Sequence, residues 1–211
     1  HPGRYVALYA YNQHSPPPTN VRAHPAVIVS VATAFLQGGH TPDTLLAGWG
    51  AQGVTQFGIR EYYSVNTWDR DLPGRAKGGK LAYLARTIPA FHERGARHLT
   101  AESSANWGPN GLGYYLAARM LWDPSEANRL QDLLDDFLSR AFGPAAEPMR
   151  AFYALLDGSR PQPVSTDLVG RMYRRLDEAF QAADDPAIRA RLEDLLLYTR
   201  YVELFRGYGA S

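Results

Sequence analysis

At Asp123-Pro124 the hydrophobic pattern of the chain changes period, and that change limits the fold more than any other feature. Upstream, four segments carry β-branched and aromatic residues bounded by turn formers. They are 4–11 (RYVALYAY), 26–32 (AVIVSVA), 54–63 (VTQFGIREYY) and 97–102 (RHLTAE). Downstream, SEANRLQDLLDDFLSRAFG, AAEPMRAFYALLDG, STDLVGRMYRRLDEAFQAA and PAIRARLEDLLLYTRYVELFRGY repeat apolar residues at spacings of three and four. Those spacings predict three to four helices and no further strand.

Helical signals separate the later strands. Thr41-Pro42-Asp43 supplies an N-cap, a first-turn proline and an acidic residue ahead of TLLAGWGAQG. LAYLARTIPAFHERG reads as a helix that Pro89 must kink or restart. Residues 111–122 read as another helix. Strands that alternate with helices make an α/β fold with a parallel sheet, and the nearly all-apolar AVIVSVA suits a strand covered on both faces. Two architectures fit: the C-terminal half of a (β/α)8 barrel followed by a helical tail, or a small open doubly wound sheet. About four strands do not close a barrel. The barrel therefore needs an N-terminal half from elsewhere, a second copy of the chain, or an open form. The expected division is a βα half-barrel over 1–123 and a helical region over 124–211 packed on it.

Charge excludes one class of partner. Lys and Arg number 22 against 21 Asp and Glu, a net charge of +1. Nucleic-acid binding needs a concentrated basic surface, and RMYRR at 171–175 spreads its charge around a helix. No apolar stretch approaches the ~20 residues of a membrane span. With no cysteine, thiolate metal sites, disulfides and a Cys nucleophile are out. The chain starts without methionine, as a processed chain or a fragment would. A secreted or periplasmic location is expected, with cytoplasmic the alternative.

In a parallel α/β sheet the chemistry gathers where the strands end. The first strand ends in Asn12 and His14, ahead of three prolines. The third ends Arg60-Glu61-Tyr62-Tyr63, with Trp68 close behind, and the fourth ends in Glu102, with Asn106 and Trp107 behind. Two glutamates on neighbouring strands fit glycoside hydrolysis, where one carboxyl protonates the leaving oxygen and another activates water or attacks carbon. Tyrosine and tryptophan rings suit the C–H faces of sugars, while Asn and His suit the hydroxyls. Ion-paired or surface glutamates are the plain alternative. Arg60 or Arg70 fits a uronic-acid carboxylate, or is a surface charge. Trp49 reads as core, and at least one of Tyr114 and Tyr115 should be buried. GRAKGGK at 74–80 has the spacing of a phosphate-binding loop, but Leu81 follows it where Ser or Thr is needed, so a flexible basic loop is expected. No metal site or cofactor is implied.

AESSANWGPNGLGYYLAARMLWDPS and LLDDFLSRAFGPAAEPMRAFYALL, with AYNQHSPPPT and GIREYYSVNTWDRDLPG upstream, resemble a bacterial family catalogued as a domain of unknown function. Its members are glycoside-hydrolase-like barrels, similar to α-glucuronidases and hexosaminidase-type enzymes. The resemblance implies a carbohydrate-active (β/α)8 protein, often exported, that acts on an oligo- or polysaccharide. This chain would be the C-terminal half of the barrel. The expected site comprises Glu61 and Glu102 as catalytic carboxylates. Asn12, His14, Tyr62, Tyr63, Trp68, Asn106 and Trp107 would contact the sugar. A non-catalytic carbohydrate-binding module and a structural or assembly segment are the alternatives.

Overall fold

The computed structural model describes residues 3–160 and 162–208. In chain order the elements are β1 (Val6–Asn12), β2 (Val27–Leu36), α1 (Pro42–Ala51), β3 (Gln56–Tyr62), α2 (Asn66–Asp69), α3 (Leu81–Glu93) and β4 (Ala96–Glu102). Then come α4 (Trp107–Trp122), α5 (Leu130–Phe142), α6 (Ala146–Leu156), α7 (Thr166–Ala182) and α8 (Pro186–Tyr208). The four strands form one parallel sheet in the order β1-β2-β3-β4, an α/β arrangement followed by a helical region. All four lie where the sequence places them. β2 runs on to Leu36, beyond the expected end at Ala32.

The chain divides into two compact units that do not follow chain order. The first is His1–Tyr62 with Thr87–Glu102, and the second is Tyr63–Arg86 with Ser103–Ser211. The boundary expected after 123 falls inside the second unit.

The first unit holds the sheet. Register fixes which side chains share a face: Leu8, Val29 and Phe57 pair across one row, Ala10, Val31 and Ile59 across another. These residues form a core with Leu45, Leu46 and Trp49 of α1 and with Phe91 of α3. Trp49 is core as expected, and its indole N–H donates to the Ser15 carbonyl at 2.9 Å. α1 begins with a reciprocal cap. The Thr41 hydroxyl accepts from the Thr44 N–H, and the Thr44 hydroxyl accepts from the Thr41 N–H. α3 is a single helix that continues through Pro89, so the proline does not restart it.

The second unit is built on buried Leu116, Met120, Leu138, Met149, Phe152 and Met172. Its tightest point contradicts an expectation. The glycines of GRAKGGK are not a flexible loop. Lys77–Gly79 is a 3₁₀ turn, the Gly78 N–H donates to the Tyr63 carbonyl at 2.6 Å, and Gly78 is buried. A Cβ added at Gly113 of α4 would lie 1.9 Å from the Gly78 carbonyl oxygen. Only a residue without a side chain lets the helix backbone come so close to this turn.

Candidate functional site

Alternation along a strand sends successive side chains to opposite faces. One face of the sheet carries the apolar rows above. The other carries Tyr9, Ser30, Gly58 and His98 in one row, with Arg60 and Thr100, then Tyr62 and Glu102, in the rows beyond. Gly58 makes room here: a Cβ at that position would fall 2.2 Å from His98 Nε2 and 2.7 Å from Ser30 Oγ.

This polar face has a centre. The Arg60 guanidinium donates to Glu102 Oε1 at 2.5 Å. Its carbon lies 5.8 Å from the centroid of the Tyr9 ring and 5.5 Å from that of Tyr62. Both distances are within cation–π range. Aromatic contacts continue outward, with Tyr62 edge-on to Phe35 at 6.0 Å and Phe35 edge-on to Tyr11 at 5.5 Å. Burial, then the neighbouring Tyr11, raises the Tyr62 pKa, while Arg60 pulls against them. Beside the rings, the Gln37 amide donates to Asn12 Oδ1. Asn12 and Phe35 both have positive φ, 51° and 57°. Left-handed backbone at non-glycine residues stores strain and gathers at functional sites. Here it falls at the ends of β1 and β2, beside the aromatic contacts.

The predicted glutamates do not meet. Register pairs Glu61 with Ala101 and Tyr62 with Glu102, so the two carboxylates are one residue out of step. They therefore leave the sheet on opposite faces. Glu61 is 1% exposed, on the side of Ile59, and its Oε2 accepts the Tyr62 N–H at 2.8 Å. Glu102 stands on the polar face, 44% exposed at its side chain. Among the described residues of the four strands, Glu102 is the only carboxylate on that face. A glycosidase pair needs its carboxyls about 5–9.5 Å apart on one cleft, and this offset removes the arrangement expected from sequence.

The other expected site residues fall into separate places. Tyr62 stands on the polar face, Asn12 ends β1 bonded to the Gln37 amide, and His14 sits in the turn after β1 with its N–H on the Tyr11 carbonyl. Tyr63, Trp68, Asn106 and Trp107 belong to the second unit. Tyr63 is buried against Gly78, while Trp68 is half exposed on α2. Asn106 is the N-cap residue of α4, and Trp107 begins that helix, packed edge-on against Tyr114 at 5.1 Å. Tyr9, Tyr11 and Phe35 are not among the site residues expected from sequence. A signal for two of them was present, because Tyr5, Tyr9 and Tyr11 of RYVALYAY share the odd-numbered face of a strand.

The second unit also holds two buried aspartates at a strained turn. Arg70 and Asp71 are consecutive residues with φ of 55° and 51°. Asp69 accepts the N–H groups of Val65 and Asp71, each at 2.8 Å. Asp71 accepts from the Ser64 hydroxyl, the Asn110 amide and the Ser104 hydroxyl at 2.9, 3.1 and 2.9 Å. Tyr198 and Tyr201 donate to the carbonyls of Asp71 and Arg70 at 2.8 and 2.6 Å. Neutral donors thus surround both carboxylates and pin the turn. The network is structural, holding the segment 64–72 to α4 and α8.

Among the described residues, no group of three or more His, Asp and Glu is placed to hold a metal ion. No helix among them is long and apolar enough to cross a membrane. A family model described as Domain of unknown function (DUF4838) matches residues 1–154. No curated protein and no solved structure matches the chain.

Proposed function

Since the chain belongs to the DUF4838 family, we propose that it is a carbohydrate-active protein whose sheet presents a sugar-binding face. We further propose that the four strands are the C-terminal half of a (β/α)8 barrel, with the polar face as its interior, in an exported protein. The observation that carries this is the arginine held between two tyrosine rings, Tyr9–Arg60–Tyr62, at the C-terminal edge of a parallel sheet. Exposed Tyr9, Tyr11 and Phe35 offer ring faces and edges to the C–H surface of a sugar. Asn12, Gln37 and the Arg60–Glu102 pair supply donors and acceptors for its hydroxyls.

Binding, rather than hydrolysis by this chain alone, is the function the geometry favours. Among the described residues of the strands, one carboxylate stands on the face, and it is engaged with Arg60. Glu102 is the residue we assign to any acid or base step, with its partner carboxylate supplied from outside the described strands. Titration calorimetry against a panel of neutral and uronic-acid oligosaccharides tests the proposal. We expect saturable binding to at least one member, weakened tenfold or more by Tyr9→Ala with the melting temperature unchanged. Absence of binding across the panel, or binding indifferent to Tyr9→Ala and Arg60→Ala, overturns it.

A further inference from the structure

We propose that the second unit carries a small-molecule site of its own, for a flat aromatic ring bearing a hydrogen-bond donor, of the class of the simple phenols. A cavity of about 540 Å³ lies among α4, α5, α6 and α8. That volume is within the usual range for small-molecule sites, roughly 300–1,000 Å³. Six aromatic residues line it: Trp107, Tyr114, Tyr115, Phe137, Phe142 and Tyr153.

The hydroxyls of its three tyrosines are committed elsewhere. Tyr114 donates to the Ser104 carbonyl at 3.1 Å, Tyr115 to Asp136 at 2.5 Å and Tyr153 to the Gly108 carbonyl at 2.8 Å. What the cavity offers an occupant is therefore ring surface. The rings already contact one another edge-on or tilted, as Phe137 does with Tyr115 at 5.6 Å and with Tyr153 at 5.8 Å. A further aromatic ring continues such a cluster with contacts of the same kind. Trp107, at 66% exposure, is a lining residue that is also open to solvent.

Polarity decides against a sugar here. A pyranose brings several hydroxyls that need partners, and an unmet one is costly in an apolar site. The charged lining residues are Arg191 and Asp194. Arg191 already donates to the Ala141 and Ala187 carbonyls at 3.2 and 3.1 Å. Asp194 is an exposed acceptor, suited to a single phenolic O–H.

Calorimetry with p-cresol, with cellobiose as the comparison, tests this on the chain as it stands. The expected result is saturable p-cresol binding, no cellobiose binding that responds to cavity substitutions, and at least a tenfold loss of p-cresol affinity in Ala118→Leu. Ala118 lines the cavity from an exposed helix position, so leucine fills space without disturbing the core. Trp107→Ala, at an exposed residue, should weaken p-cresol binding as well. No saturable p-cresol binding, or binding that neither substitution changes, overturns the proposal. Cellobiose binding lost in Ala118→Leu overturns it too, in favour of a sugar subsite. Tyr9 and Arg60 lie in the first unit, so their substitutions report on the sugar face separately.

Discussion

Arg60 and Glu102 stand on adjacent strands, two residues out of register and so on the same face of the sheet, where their side chains close a 2.5 Å ion pair. The side chains are 23% and 44% exposed, so solvent screens the pair. Exposed pairs of this kind contribute about 0–1 kcal/mol. The pair is therefore a poor source of stability and a ready competitor for ligands. Glu102→Gln should cost less than ~1 kcal/mol in chemical denaturation. It should also tighten binding of uronic-acid oligosaccharides over neutral ones, because the freed guanidinium can donate two parallel hydrogen bonds to a ligand carboxylate. Equal or weaker uronic-acid binding in the variant would remove Arg60 from the recognition role.

Glu61 is expected to behave differently. Its carboxylate is buried and accepts a backbone N–H, so Glu61→Leu leaves that donor facing an apolar side chain. The cost should be about 1–3 kcal/mol, with Glu61→Gln closer to wild type because it retains an acceptor oxygen. Calorimetric affinity for sugar, measured well below the melting temperature, should be unchanged in both. A large affinity loss without a fall in melting temperature would return Glu61 to the site.

Gly113→Ala should be among the most damaging single-methyl additions in the chain. The new Cβ would lie 1.9 Å from the Gly78 carbonyl oxygen, a contact with backbone that no rotamer relieves. Overpacking usually costs about 1–3 kcal/mol, and a backbone clash belongs at or above the top of that range. Gly207→Ala on α8, where no atom lies within 4 Å of the added methyl, is the matched control and should be neutral or mildly stabilising. Similar melting temperatures for the two variants would mean that the turn and the helix move apart at little cost.

High pH should unfold the chain through its buried phenols. Burial raises the Tyr153 pKa above its ordinary 10.0, and burial, then Asp71, raises that of Tyr198 well above it. A raised folded-state pKa means that the fold holds the protonated phenol. Its stabilising contribution is intact below pH 10 and is lost as the pH climbs towards the folded-state value. Each such tyrosine adds a slope of about 1.4 kcal/mol per pH unit in that window. Urea denaturation between about pH 9 and 11.5 should show this decline. Tyr153→Phe should make it shallower by one tyrosine's share, and an unchanged slope would contradict the assignment.

The sheet was legible in the sequence because its signals are local. Alternation, β-branched runs and the Thr41-Pro42-Asp43 cap each act within a few residues, and the strands formed where those signals lie. Facing is also local, and it was there to be used: Arg60, Tyr62 and Glu61 alternate within one strand. Position along the chain alone nonetheless pairs the two glutamates. What separates them is a single-residue offset in register between β3 and β4, which includes an irregularity between Phe57 and Gly58. No pattern within either strand encodes that offset. The flexible loop expected at GRAKGGK fails for a related reason. Glycines mark both mobile loops and close backbone contacts, and only the partner, Gly113 on a helix far along the chain, tells the two apart. The aromatic cavity was similarly hidden, since its walls come from four helices whose periodicities report only that each has an apolar side.

The contact between Gly113 and Gly78 also bears on how relatives of this chain should be compared. Gly113 sits within NWGPNGLGYYL, inside the span that the family model matches. The fold leaves no room there for a methyl group, and the next residue, Tyr114, is tied to a backbone carbonyl. Invariance across relatives at 113 and 114 would thus measure how closely two backbones approach. Variation at Tyr9, Phe35 and Gln37, which stand around the proposed ligand face, would be the better record of changing ligands.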